Sequence, residues 1–260
     1  LNPDHRHRGS GRQVIALLLV LVSAAAVLAV MFHAPIPQDP AYHLFADSRP
    51  FAGLPNFWDV ASNLPFLIVG LFGLSRTRRL AEPGCAGAYA ALCAGVLLVS
   101  LGSAYYHLSP SNPTLLWDRL PMTVAFMALF SMLLEERAGA AGTLVPLVAV
   151  GVASAVYWAE TDDLRPYLLV QFLPLLLMPL ILALYPRKYL RTRSLSAALV
   201  LYVAAKVFET IDRPVFAALA VVSGHTIKHL LAGGATLCII LAVPVKEVSC
   251  CSVSEPQSTP

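Results

Sequence analysis

Eight apolar runs follow one another along this chain, at 14–32, 57–74, 86–107, 118–134, 143–158, 167–184, 195–211 and 215–243. Each comes near or exceeds the ~20 residues that a helix needs to cross the hydrocarbon of a bilayer. Backbone polar groups inside lipid must be satisfied within the protein, so such a pattern leaves a helical bundle as its folded form. The expected fold is therefore all-α, a polytopic transmembrane helix bundle. Composition agrees: 57% of residues are hydrophobic and only 13% are charged, values that do not fit a soluble domain of 260 residues.

The net charge of +3 implies no nucleic-acid partner, because the basic residues sit between the apolar runs rather than in one patch. The cysteines at 85, 93, 238, 250 and 251 have no zinc-ribbon spacing and read as packing residues, with no disulfide framework. Cys250 and Cys251, just after the last run, are candidates for acylation. At the other end, His5, Arg6, His7, Arg8 and Arg12 form a solvated basic tail before the first run. That run is read as an uncleaved helix with its N-terminus inside. With this start, the loops at 76–85, 135–142 and 186–194 are inside and carry Arg76, Arg78, Arg79, Arg137, Arg187, Lys188, Arg191 and Arg193. The opposite loops hold fewer basic residues together with Glu160, Asp162 and Asp163, so the pattern follows the positive-inside rule. Both termini are then cytoplasmic.

Ionisable residues inside apolar runs are costly and mark function by default. Ser103 and His107 are four apart, as are His225 and His229, so each pair shares a helix face. His107 ends an outward-running span, Asp118 begins the next inward one, and His225 and His229 begin the last. All fall at one depth, near the extracytoplasmic face. Taken singly, each has a bland reading. A membrane histidine usually bonds between helices, a serine helps helices pack, and an aspartate at a helix start is an N-cap. Together, three imidazoles with an open fourth position and polar neighbours suit a zinc site.

The segments Gly102-Ser103-x-x-x-His107, Trp117-Asp118-Arg119-Leu120-Pro121-Met122 and His225-x-x-x-His229 resemble the alkaline ceramidase family. That family belongs to a superfamily of seven-helix membrane hydrolases that includes the adiponectin-receptor-like proteins. The stretches Asn56-Phe57-Trp58-Asp59-Val60-Ala61-Ser62-Asn63 and Phe208-Glu209-Thr210-Ile211-Asp212 fit as well. The similarity covers roughly 42–243, which divides the chain into three parts. Residues 1–41 hold the basic tail, an added span and the start of an outer loop. Residues 42–243 form a seven-helix ceramidase-like core, and 244–260 a cytoplasmic tail.

The resemblance implies zinc held by His107, His225 and His229, with Asp118 as general base and acid and Ser103 as hydrogen-bond donor to the oxyanion. The activity implied is zinc-dependent hydrolysis of the amide bond of ceramide or a related N-acyl lipid, taken from the bilayer, with no obligate protein partner. The alternative is an adiponectin-receptor-like signalling protein with structural zinc. A metal or proton transporter would need ionisable groups on both sides of the bilayer, and these cluster at one. The family's eukaryotic members also hold calcium. Asp47 and Asn56 stand at two of those positions, Asn56 where the family has glutamate, and Asp59 is a further oxygen donor. Lys206, Glu209 and Asp212 share a helix side, either as support for the metal ligands or as a structural Lys206–Glu209 pair. Lys228 is expected to face away from the histidines and snorkel.

Overall fold

The computed structural model describes residues 3–246. Cys250, Cys251 and most of the expected tail lie outside the described residues. Ten α-helices form: α1 (Pro3–Met31), α2 (Phe57–Ala61), α3 (Leu64–Arg76), α4 (Ala86–Leu108), α5 (Asn112–Ala138), α6 (Leu144–Thr161), α7 (Arg165–Leu184), α8 (Thr192–Thr210), α9 (Asp212–Leu219) and α10 (Gly224–Ala242). Among the described residues, β pairing is limited to two isolated bridges, Phe51 with Leu54 and Leu80 with Val245. Seven helical stretches are long and apolar enough to cross a membrane, counting α2 and α3 as one. The helix α8, which carries Lys206 and Glu209, turns by 78° into the short α9, and the two together reach the length and apolarity of an eighth such stretch. The protein is an integral, multi-pass membrane protein.

The apolar runs locate the spans, but two boundaries shift for a physical reason. The fourth span starts six residues before Asp118. Ser111 is its N-cap, Thr114 closes a capping box with it, and Pro113 sits in the first turn. Capping turns are polar, so hydropathy alone reads this one as loop. Asp118 is consequently not an N-cap; it lies in the second turn of α5, at 8% exposure. The run at 215–243 is likewise not one span but α9, a bend and α10.

The helix α1 stands apart from the rest. Only 6% of its apolar window is buried, against 50% for the window of α4. It leans on α7 and is tied there by Arg165, which donates to the carbonyls of Met31 (2.9 Å) and His33 (2.6 Å). Hydrogen bonds from the same guanidinium pull the Asp163 carboxyl down to about 2.

At the end of the bundle remote from the histidines, one buried carboxylate organises the α7–α8 connection. Glu136 Oε1 accepts the backbone N–H groups of Lys188 (2.7 Å), Tyr189 (2.9 Å) and Leu190 (3.2 Å). Its neighbour Arg137 pairs with Glu136 and donates to Tyr185 O (3.2 Å) and Thr192 Oγ1 (2.7 Å). Both side chains are essentially unexposed. Arg137 is therefore no loop charge, contrary to its place in the sequence-based tally. Glu136→Gln leaves Arg137 buried without its counter-charge, so the unfolding free energy is expected to fall by about 3 kcal/mol. Denaturant unfolding in detergent measures this; an unchanged midpoint would show that the pair is not a stabilising lock.

Candidate active site

His107 lies at the end of α4, His225 in the first turn of α10, and His229 one turn further on. What seats α10 is local. Ser223 caps it by accepting Thr226 N–H at 3.0 Å, and Asp212 Oδ1 accepts the His225 backbone N–H at 2.8 Å. Gly224 is required there, since a Cβ would come 2.3 Å from Phe208 O and 2.7 Å from the Asp212 Cα. The three imidazoles converge, with ligand nitrogens within 4.8 Å of one another and all three residues buried. Among the described residues no other group of this kind forms.

The Nε2 atoms of His107 and His225 are 3.3 Å apart. Two nitrogens bound at ~2.05 Å on a tetrahedral zinc lie ~3.3 Å apart, so the spacing fits that ion. Ser62, whose own O–H donates to Asp59 O at 3.0 Å, accepts from His229 Nδ1 at 2.7 Å. This turns Nε2 of His229 toward the cluster, the kind of outer support that metal-binding histidines use. The Ser62–Asn63 break between α2 and α3 carried no assigned role in the sequence. Phe45 packs on both His107 and His225 at 4.6 Å between ring centres.

Ser103 and Asp118 reach the same place because α4 and α5 touch at Gly102. A Cβ on Gly102 would fall 2.0 Å from Trp117 O and 3.3 Å from Asp118 N. Ser103 and Asp118 line a cavity of about 420 Å³ together with His229, Lys228 and Glu209. From there the cavity descends between apolar side chains, to Leu92 and Val96 on α4 and Ile239 on α10. At 1.5 Å per residue, Ser103 to Leu92 is about 16 Å.

Glu209 bonds Lys206 Nζ (2.5 Å) and Lys228 Nζ (3.0 Å), and Tyr42 O–H donates to it at 3.3 Å. It is thus held as a pair with lysines. Lys228 does not snorkel; its Nζ turns inward to Glu209 and lies 3.3 Å from His225 Nε2. The cause is the buried carboxylate on α8, which helix periodicity within α10 cannot reveal. Asp212 supports His225 through the backbone and also accepts Ala46 N–H at 2.9 Å.

The expected calcium positions do not fit that ion. Arg49 Nε and Nη2 occupy both Asp47 oxygens, at 2.8 and 2.7 Å, and these bonds hold the Asp47 carboxyl below the usual range. The same guanidinium donates to Ala220 O (3.2 Å) and Val221 O (2.9 Å). Asn56 turns its amide N–H to His107 O at 2.7 Å, and Asp59 Oδ1 accepts Thr226 Oγ1–H at 2.9 Å. Calcium needs several charged oxygens around one point, and here an arginine already fills the place beside Asp47.

Residues 54–256 match the family model described as Ceramidase. The chain belongs to the Ceramidase family. Membership makes this chain a membrane-embedded hydrolase directed at the amide bond of ceramide, with a lipid substrate. Its family region begins just before α2, so α1 precedes it. No curated protein matches the chain.

Proposed function

We propose that this family member is a zinc-dependent intramembrane amidase that cleaves ceramide or a related N-acyl lipid into a fatty acid and a free amine. The observation that carries this reading is the spacing of the three buried histidines beside Asp118 and Ser103, at the head of a deep apolar cavity. His107, His225 and His229 would hold the metal. When bound, zinc supplies Lewis acidity toward a carbonyl and activates water near neutral pH.

The acyl chain lies along Leu92, Val96 and Ile239, which excludes bulk water and brings the amide to Ser103 and Asp118. Asp118 accepts a proton from the attacking water as its oxygen bonds to the carbonyl carbon. The Ser103 hydroxyl donates to the carbonyl oxygen as that oxygen gains negative charge. The C–N bond then breaks, and Asp118 returns the proton to the departing nitrogen.

Metal analysis and a fatty-acid release assay on ceramide and other N-acyl lipids test this. About one zinc per chain is expected, with release abolished by a chelator and restored by zinc. Release that persists in fully metal-free protein would remove zinc from the reaction.

We also assign the site to the extracytoplasmic side. Arg76, Arg78, Arg79, Arg187, Lys188, Arg191 and Arg193 lie at the end of the bundle remote from the histidines, even with Arg137 set aside. Tags near residues 80 and 190 are then expected to be protected from outside reagents, and a tag near residue 110 accessible. A cytoplasmic tag at 110 would reverse the assignment.

A further inference from the structure

Gln171 on α7 and Tyr202 on α8 are polar groups in an apolar stretch of the cavity wall, and the hydrolysis described above makes no use of them. Both line the cavity, among Leu168, Phe172 and Leu199. Gln171 is 4% exposed, and its Nε2 donates to Tyr202 Oη at 2.8 Å. Among the described residues this is the one side-chain hydrogen bond that either makes. A carboxamide has two N–H groups and an oxygen, and a phenol has an O–H to give as well as an oxygen that accepts. Gln171 Oε1, its second N–H and the Tyr202 O–H are therefore left over. Gln171 Oε1 is not closed off from the cavity, in contrast to sealed, unpartnered atoms elsewhere in the bundle such as Tyr89 Oη.

A bond that only held α7 to α8 needs one N–H and one acceptor. The remaining polar groups face an apolar space, where leaving them unmet is costly. Their depth indicates what meets them. The helices α5 and α7 start at the histidine end of the bundle, and α8 finishes there. At 1.5 Å per residue, Asp118 is about 9 Å into α5, Gln171 about 9 Å into α7, and Tyr202 about 12 Å from the end of α8. The pair thus stands at the depth of Asp118 and slightly beyond it, where an acyl chain leaves the carbonyl for Leu92 and Val96. Lys206, one turn along α8 from Tyr202, is taken by Glu209. What the pair offers is neutral and combines an acceptor with donors. A hydroxyl matches it, giving one hydrogen bond to Gln171 Oε1 and accepting one from the Tyr202 O–H.

We propose that Gln171 and Tyr202 read a hydroxyl on the carbon next to the amide carbonyl, so that ceramides with a 2-hydroxylated acyl chain are cleaved in preference to those with a plain one. This rests on the hydrolytic reading of the cavity and keeps the substrate neutral. One neutral hydrogen bond gained, with bare polar atoms no longer buried against hydrocarbon, is worth about threefold to tenfold.

Three neutral substrates of equal chain length test this: N-palmitoyl sphinganine, N-(2-hydroxypalmitoyl) sphinganine and N-palmitoyl 4-hydroxysphinganine. The last carries its added hydroxyl on the amine half instead. Zinc-loaded full-length protein is assayed as wild type, Gln171→Met and Tyr202→Phe, with metal content matched. Wild type is expected to prefer the 2-hydroxyacyl compound to the plain one by about threefold to tenfold in kcat/KM, mostly through KM. In Gln171→Met that ratio should fall to about one. Tyr202→Phe keeps the ring against Phe126 and removes the phenol oxygen, so it should lower the ratio too; it serves if the methionine variant does not fold. A wild-type ratio near one, or a ratio that survives in both variants, would overturn the proposal and leave the pair as a bond between helices. Preference for the 4-hydroxysphinganine compound alone would overturn the assignment to the acyl half.

If wild type cleaves none of them, the hydrolytic reading fails separately. Thermal shift with the same three compounds then decides the pair alone. Greater stabilisation by the 2-hydroxyacyl compound that disappears in Gln171→Met supports the hydroxyl site; equal stabilisation by the 2-hydroxyacyl and plain compounds refutes it.

Discussion

Zinc-loaded Asp118→Asn is expected to keep its metal and its melting temperature while losing turnover by about 10²-fold or more. The substitution preserves shape and removes the carboxylate that takes the proton. Asp118 sits in the second turn of α5, away from the Ser111 cap, so the helix start is untouched. It forms no ion pair among the described residues whose loss would destabilise the fold. Ser103→Ala should show a smaller loss, on the order of tenfold in kcat, because the oxyanion contact strengthens only as the tetrahedral centre forms. Metal content must be equal in all samples. Full lipid-amide hydrolysis by zinc-loaded Asp118→Asn would take Asp118 out of the reaction. Glu209 is a poor substitute as base, since Lys206 and Lys228 both hold it.

The double change His225→Ala/His229→Ala is expected to abolish bound zinc and to lower hydrolysis by about 10³-fold or more, with helical content unchanged. These two side chains contribute two of the three converging nitrogens, and the cap of α10 depends on Ser223 and Asp212 instead. His107→Ala should behave the same way, although it sits on another helix. Stoichiometric zinc in the double variant would refute the ligand assignment. Loss of hydrolysis with the metal retained would instead favour a histidine role in proton transfer.

The spans were legible because lipid forces regularity: each apolar run near 20 residues has to satisfy its own backbone, and a helix does so. The His225/His229 pair was legible for a similar reason, since four-residue spacing within one helix places side chains on one face whatever surrounds it. Lys228 shows where that logic stops. Its direction was set by Glu209, a residue on a different helix, and no periodicity within α10 carries that information.

Two helix boundaries depended on chemistry that hydropathy does not register. The polar first turn of α5 is a capping box, and residues 220–223 break the apolar run at 215–243 into α9 and α10. Glu136 was hidden for another reason. A carboxylate at a span end looks like a solvated loop charge until three N–H groups from residues 188–190 are found around one of its oxygens.

The sequence by itself determined the class of fold, the approximate positions of the spans and the three histidines able to bind metal, because these follow from local periodicity and from side-chain chemistry. Only the tertiary structure decided which of them meet. Gly102 lets α4 close on Trp117 O, and Gly224 lets α10 close on Phe208 O; Ser103, Asp118 and His229 line one cavity, and His229 meets His107 and His225. It also decided that Arg49 meets Asp47, and that Arg119 is buried against Trp158 and Tyr167. Such pairings join residues far apart in the chain or hang on the direction of one side chain, and both are settled by packing between helices.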